Sequence, residues 1–172
     1  MKNPTEPLQA PVDSASAENR PVPFLDLGRY SGLWHEIAHL PMRYEGQCVD
    51  SVTATYTPLP DGTLEVRNEC RTLKGALDAS VGRARPTAVP GALQVRFAPR
   101  WLAWLPFVWA DYWVLEVDHA YQWAIVGGPS RKYLWILSRR PTMGRALFER
   151  LVKSAEIMGY ATEGLIMMGE LT

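Results

Sequence analysis

The chain has 172 residues, and its 18 basic and 18 acidic side chains balance to a formal charge of zero. This length predicts one domain with a sizeable core. The net charge of zero argues against nucleic acid as a partner. No apolar run reaches the roughly 18 residues that a membrane-spanning helix needs.

The N-terminal segment is rich in Pro, Ala, Ser and Glu and poor in large apolar side chains. Such a composition predicts a flexible tail over residues 1–23 and one folded domain over residues 24–172. The first twenty residues carry no apolar segment typical of a signal peptide. Two alternatives stay open: the protein remains in the cytoplasm, or a leader was removed ahead of this sequence.

Turn signals follow the tail at short, regular intervals, separated by runs that alternate in polarity or are rich in β-branched and aromatic residues. This spacing predicts eight strands in an antiparallel barrel or sandwich rather than alternating strands and helices. The predicted strands are Trp34–Leu40, Val49–Thr57, Thr63–Arg71, Ala76–Arg83, Ala92–Ala98, Asp111–Val117, Tyr121–Val126 and Tyr133–Leu137.

The segment from Thr142 to Tyr160 has a different period. Its apolar residues recur at helical spacing, with Pro141 before it and Gly159 near its end. We therefore expect one amphipathic α-helix after the strands, and a short terminal strand over Leu165–Met168.

Three segments in order resemble the lipocalin family. Gly32-Leu33-Trp34 is similar to the family's G-x-W signature, and Trp34–Ala38 to its W-Y-E-I-A continuation. Tyr133–Arg139 resembles the last barrel strand with its closing arginine. Asp111–Leu115 and Gly128–Arg131 are similar to segments of bacterial outer-membrane lipocalins, apolipoprotein D and plant temperature-induced lipocalins.

The resemblance implies an all-β fold: an eight-stranded, up-and-down antiparallel barrel, or calyx, with one C-terminal helix. It implies that Gly32, Trp34 and Arg139 close the barrel, with the guanidinium stacked on the indole. It also implies a binding protein rather than an enzyme, with no cofactor and no metal.

Period-two alternation, combined with the resemblance, predicts which side chains face the barrel interior. An apolar lining with few polar groups suits a chain-like molecule with one polar head, such as a fatty acid or a lysophospholipid. The predicted ligand-facing residues are Ala54, Tyr56, Val66, Asn68, Val95, Phe97, Tyr112, Val114, Tyr133 and Trp135.

A competing motif overlaps the first predicted strand. His35-Glu36-Ile37-Ala38-His39 matches the H-E-x-x-H signature of zinc hydrolases, which requires a helix so that both imidazoles reach one metal. On a strand the same histidines stand about 13 Å apart, and Pro41 stops any helix. We interpret them as two outward-facing strand histidines.

The two cysteines, Cys48 and Cys70, share one parity on strands joined by a hairpin around Pro60–Gly62. Counting back from that turn brings them within a residue or two of each other, so a disulfide is feasible. Two free buried thiols are the alternative. A bond would favour an oxidising compartment, and we expect a periplasmic or outer-membrane location, with the cytoplasm not excluded.

The loop Pro99–Trp109 combines prolines with large apolar side chains: Trp101, Trp104, Phe107 and Trp109. It is too short to span a bilayer and too rich in proline for a regular element. It is either a peripheral contact with a membrane or a partner, which includes a second copy in a homodimer, or a lid over the barrel.

Overall fold

A computed structural model describes residues 18–41, 48–97 and 109–172. In this part of the chain, eight antiparallel strands follow one another around a barrel that closes because the first and eighth also pair. The predicted barrel is confirmed. Its strands are β1 Gly32–His39, β2 Cys48–Pro58, β3 Leu64–Thr72, β4 Leu77–Pro86, β5 Ala92–Arg96, β6 Ala110–Val117, β7 Trp123–Gly127 and β8 Trp135–Ser138.

The smaller elements lie at the two ends of the described chain. A short helix, α1 Leu27–Tyr30, precedes β1, and the predicted C-terminal helix is α2 Arg145–Ile157. The remaining elements are β9 Thr142–Met143, a 3-10 turn at Thr162–Gly164, β10 Ile166–Met167 and β11 Glu170–Leu171.

The C-terminal helix is shorter than predicted at both ends. It begins at Arg145 rather than Thr142, because Thr142 and Met143 pair in parallel with β11. It ends at Ile157, since Gly159 adopts a φ of 93°, which terminates the helix. The predicted terminal strand is present as β10, which pairs with the end of β1.

Some strands begin or end at other residues than predicted, and backbone geometry or strand pairing explains the difference. The seventh strand begins at Trp123 rather than Tyr121, because Tyr121 has a φ of 57° and belongs to the turn after Asp118. The fourth strand extends to Pro86, because Arg85 and Pro86 still pair with β5.

Two apolar layers share the barrel wall. One set of side chains fills the barrel interior, including Trp34, Tyr56, Val114 and Val126. The other set faces outward and packs under α2, where Leu151 and Ala155 are fully buried. Alternation along each strand therefore places one parity inside the barrel and the other beneath the helix.

The antiparallel order distinguishes two ends of the barrel. We call the end at which α1 leads into β1 the base; the turns β2–β3, β4–β5 and β6–β7 also lie there. The connections β1–β2, β3–β4, β5–β6 and β7–β8 lie at the opposite end, the mouth.

The segment before α1 is anchored to the barrel. The amide of Val22 donates a hydrogen bond to the carbonyl of Val114 at 2.8 Å, and the Asn19 side chain donates one to Gly128 at 3.0 Å. The structure differs from the flexible tail predicted over residues 1–23, because backbone pairing and the packing of Val22 hold residues 19–22 against the barrel. Residues 1–17 lie outside the described part. No helix in the described ranges is long and apolar enough to cross a bilayer.

Candidate functional site

The base of the barrel is closed by an arginine on a tryptophan. The Cζ atom of Arg139 lies 3.7 Å from the centre of the fully buried Trp34 ring. Gly32 has a φ of 96°, which favours glycine, and a Cβ there would lie 3.5 Å from the Arg139 guanidinium. The three residues predicted to close the barrel therefore meet at one point.

Three buried tyrosines form a hydroxyl network above this contact. The Tyr30 and Tyr112 hydroxyls lie 2.5 Å apart, and the Tyr56 hydroxyl donates to that of Tyr112 at 2.8 Å. Burial raises the pKa of all three phenols, and the negative charge of Glu36 adds to the rise at Tyr56. Because these hydroxyls are hydrogen-bonded to one another, their role is to stabilise the barrel rather than to bind a polar ligand.

A cavity of about 80 Å³ lies inside the barrel. Its lining is mainly apolar and aromatic. Eight of the ten predicted ligand-facing residues line it: Ala54, Tyr56, Val66, Asn68, Val95, Phe97, Tyr112 and Trp135. One water needs roughly 10–15 Å³ of such space, so a cavity of this size is too small for a lipid chain. A chain can enter only if side chains at the mouth move. Phe97 is already 42% exposed.

The other two predicted residues lie elsewhere. Val114 is fully buried in the interior cluster but does not line the cavity. Tyr133 precedes β8 and is half-buried near the mouth, where its hydroxyl donates to the carbonyl of Asp111 at 2.8 Å. Its ring centre lies 5.3 Å from that of Trp135, so Tyr133 supports a cavity wall rather than forming one.

A buried acid and a buried histidine form a polar site that the sequence did not predict. Glu36 is 7% exposed and lines the cavity, and His39 is 2% exposed. The Nδ1 atom of His39 is hydrogen-bonded to the Glu36 carboxylate. Glu36 has the same inward parity as Trp34, and His39 also points inward because the pairing of β1 with β8 shifts by one residue between Glu36 and Ala38.

This bulge corrects the interpretation of the two histidines as outward-facing. His35 lies opposite Ser138 and has the outward parity, whereas His39 lies opposite the cavity-lining Trp135. The two imidazoles therefore lie on opposite faces of the sheet and do not converge on one metal. A one-residue register shift leaves no clear signal in a sequence, which is why strict alternation misplaced His39.

Asn68 is a further polar group of the cavity. It lies on β3 opposite Ala54 and Ser80, and its side chain lines the cavity. Its amide makes no hydrogen bond to any other described residue. A ligand can therefore use both its donor and its acceptor.

The cysteines are joined, which confirms the predicted disulfide between Cys48 and Cys70. The bond links the start of β2 to the end of β3 near the mouth, with a Cα–Cα distance of 5.6 Å. It lies where the β2–β3 register is irregular, between Cys48 and Thr53. The bond therefore fixes the part of the hairpin in which ladder pairing is weakest.

The predicted loop of tryptophans is described only at its end. Trp101, Trp104 and Phe107 lie outside the described residues. The Trp109 ring has the guanidinium carbons of Arg85 and Arg96 at 3.9 and 5.0 Å from its centre. The hairpin between β3 and β4 also lies at the mouth, where Leu73 is 84% and Leu77 is 78% exposed.

Comparison with known sequences gives consistent matches. Residues 25–170 match the family model described as a lipocalin-like domain. The chain is 42% identical to temperature-induced lipocalin-1 of Arabidopsis thaliana over 139 residues, which cover 79% of this chain and 74% of that protein. It is 38% identical to the outer membrane lipoprotein Blc of Escherichia coli (strain K12), covering 78% of this chain and 73% of Blc.

Solved structures share the fold at lower identity. Insecticyanin from the tobacco hornworm Manduca sexta aligns with a TM-score of 0.68 at 21% identity, covering 90% of each chain. Apocrustacyanin C2 aligns with a TM-score of 0.66 at 13% identity, covering 84% of this chain and 79% of that one. At these identities the similarity establishes the architecture alone.

Proposed function

The chain belongs to the lipocalin family, whose members bind small hydrophobic molecules and are generally binding or transport proteins, and on this premise we propose that it carries or stores a single-chain lipid, a fatty acid or a lysophospholipid. The observation that carries the proposal is the cavity inside the barrel, which has aromatic and aliphatic walls and few polar groups. Such a lining suits one acyl chain with one head.

The ligand-facing role of the cavity residues is part of this proposal. Trp135 is the most informative of them, since its ring lies 6.4 Å from that of Tyr112 and stacks with it inside the barrel. Removing the indole takes away a large apolar contact from the ligand. We therefore expect Trp135→Ala to weaken lipid binding about tenfold.

The direct experiment is native mass spectrometry after mild purification, followed by displacement of the neutral fluorophore N-phenyl-1-naphthylamine by single-chain lipids. Trp123→Ala is the matched control, because Trp123 lies on the outer face under Arg150, 4.9 Å from its guanidinium carbon. Failure of every lipid to bind the wild-type protein would exclude the carrier function. Equal affinity in both variants would remove Trp135 from the site.

A second candidate function is contact with a membrane surface at the mouth. It is supported by the exposed Leu73 and Leu77 at the β3–β4 tip, which lies at the same end of the barrel as the start of β6. Large exposed apolar side chains are typical of interfacial contacts.

Flotation with anionic and neutral vesicles tests the contact. Leu73→Ser combined with Leu77→Ser should reduce flotation while lipid binding in the cavity stays unchanged. If sedimentation instead reveals a dimer that the same substitutions dissociate, the surface is an interface between copies of the chain.

The compartment is proposed from two observations together. The chain has a disulfide between Cys48 and Cys70, and several similar proteins are outer membrane lipoproteins by name. Disulfides persist in oxidising compartments. We therefore propose a periplasmic or outer-membrane-associated location, which cell fractionation followed by thiol alkylation tests: a reduced, alkylated pair in the native cell would contradict it.

A further inference from the structure

We propose that the disulfide between Cys48 and Cys70 gates the exchange of ligand with the barrel cavity. The start of β2, Cys48–Val52, is a movable part of the barrel wall, and reduction of the bond releases it. The gate rests on the proposed lipid-binding function and deepens it by naming how access to the same cavity is regulated. The cavity of about 80 Å³ is smaller than a lipid chain, so part of the wall has to move for a ligand to enter.

The start of β2 has separated from β1. Regular pairing between these two strands ends where His35 lies opposite Thr53. Further along β1, His39 pairs with β8 on one edge and with β10 on the other. Because both edges of β1 are occupied there, the segment Cys48–Val52 diverges from β1.

The same segment pairs irregularly with β3. The register between β2 and β3 shifts between Cys48 and Thr53. Within this stretch Ser51 has a φ of 55°, a left-handed conformation that is unfavourable for a residue with a Cβ atom. Irregular pairing and a strained residue make this stretch the part of β2 that opens most easily.

The segment also forms part of the cavity wall. Val52 is 7% exposed and lines the cavity, as does Thr53. Cys70 has the same inward parity on β3 as the cavity-lining Asn68. The disulfide therefore lies on the inner face of the wall, at the mouth. Outward movement of Cys48–Val52 withdraws the Val52 side chain from the lining and opens the cavity.

Two connections tether the segment to β3. One is the disulfide. The other is Arg71, whose Nε atom donates a hydrogen bond to the Asp50 carboxylate at 2.9 Å and whose Nη2 atom donates to the Ser51 hydroxyl at 3.2 Å. The side chains of Arg71 and Asp50 are about half exposed, and ion pairs of this kind contribute little. The covalent bond is therefore the stronger tether.

Reduction by a dithiol converts this tether into two thiols. One thiolate of the reductant attacks the Sγ atom of Cys48, the more exposed cysteine, and Cys70 leaves as a thiolate that takes up a proton. The second thiol of the reductant then displaces Cys48, which is protonated in turn, and closes the reductant's own disulfide. The protein gains two electrons and two protons, and the dithiol is oxidised.

Stopped-flow binding of N-phenyl-1-naphthylamine tests the gate on oxidised wild-type protein, on wild-type protein reduced with dithiothreitol, and on the double variant Cys48→Ser, Cys70→Ser. A gate sets the barrier to exchange in both directions. Without the bond, the association and dissociation rate constants should both rise at least about fivefold, whereas Kd should change by less than about twofold. Alkylation and far-UV circular dichroism verify two free thiols and a folded barrel in the reduced protein.

Arg71→Ala tests the gate with the disulfide in place, and serves if loss of the bond unfolds the barrel. It removes the second tether and should raise both rate constants about twofold. Arg67→Ala is the matched control. Arg67 has the same outward parity on β3 but donates to Glu69 of its own strand, so its loss should leave both rate constants unchanged.

The outcomes separate the gate from the function it rests on. If neither the fluorophore nor any single-chain lipid binds the wild-type protein, the carrier function fails and the gate fails with it. If ligands bind but the rate constants of the oxidised and reduced proteins are equal, or those of the two arginine variants where the reduced barrel unfolds, the carrier function stands and the gate is overturned. A rise in the dissociation rate constant alone, with an equal loss of affinity, would mean that the bond maintains the shape of the cavity, and would also overturn the gate.

Discussion

The guanidinium of Arg139 lies over the indole of Trp34, with Cζ 3.7 Å from the ring centre. The same guanidinium donates hydrogen bonds of 2.7–3.0 Å to backbone carbonyls of two separate segments, α1 with the start of β1 and the β6–β7 turn. These acceptors belong to Arg29, Ser31, Leu33 and Tyr121. One side chain thus joins both segments to the end of β8 and seals the base.

Replacement of Arg139 by lysine should lower the free energy of unfolding by about 2–3 kcal/mol, since one ammonium cannot reach four carbonyls and cover the ring at once. Urea unfolding followed by tryptophan fluorescence measures the change. Arg140→Lys, at the exposed neighbouring position, should change the stability by less than about 0.5 kcal/mol. Equal stability of the two variants would refute the role given to Arg139.

The tyrosine network should contribute to stability through its central member. Tyr112→Phe removes the hydroxyl that contacts both Tyr30 and Tyr56, leaving two buried hydroxyls without their partner, and should cost about 2 kcal/mol. Tyr133→Phe removes a single contact with a backbone carbonyl and should cost about 1 kcal/mol or less. Chemical denaturation of both variants tests the order; a larger loss for Tyr133→Phe would contradict it.

The same phenols predict how stability changes in alkali. Burial raises the pKa of Tyr30, Tyr56 and Tyr112 in the folded state, and raises that of Tyr133 to about 12. The unfolded chain therefore loses these protons first, near pH 10. The contribution of the protonated phenols to the free energy of unfolding is fully present below pH 10 and is lost as the pH rises further.

The measurement is the free energy of unfolding between pH 8 and pH 11.5, with phenolate absorbance at 295 nm followed in parallel. The Tyr112→Phe variant should show a shallower loss above pH 10 than the wild-type protein. An identical slope in both proteins would contradict the assignment of the loss to this network.

The order of the elements was predictable because period-two alternation and turn residues determine it locally. Alternation along Leu64–Cys70 predicted the inward parity of Val66 and Asn68. The base was predictable only through the resemblance of Gly32-x-Trp34 and Arg139 to a family, since nothing local joins residues that lie so far apart in the chain.

What escaped prediction was non-local. The bulge after Glu36 comes from the register of β1 against β8, and a register shift of one residue reverses the face of His39. The tyrosine network depends on Tyr30, a residue of the four-residue helix α1. A helix so short has no detectable period, so Tyr30 was absent from the predicted interior.

The disulfide should stabilise the mouth more than the base. Cys48 and Cys70 are 22 residues apart, and closing a loop of this length is worth about 3 kcal/mol in the chain-entropy model. In urea unfolding, the free energy of unfolding of the double variant Cys48→Ala, Cys70→Ala should be lower by that amount. The wild-type protein, whose bond is intact, should be unaffected by alkylating agents.

Hydrogen exchange localises the effect of the same double variant. Protection should fall most at the irregular start of β2, Cys48–Val52, because regular pairing with β3 begins only at Thr53. Amides of β2 from Thr53 to Thr57, and those of β1 near Trp34, should lose protection only through the global loss of stability. Uniform loss along β2 would mean that the bond acts on the unfolded chain alone and does not hold the mouth in place.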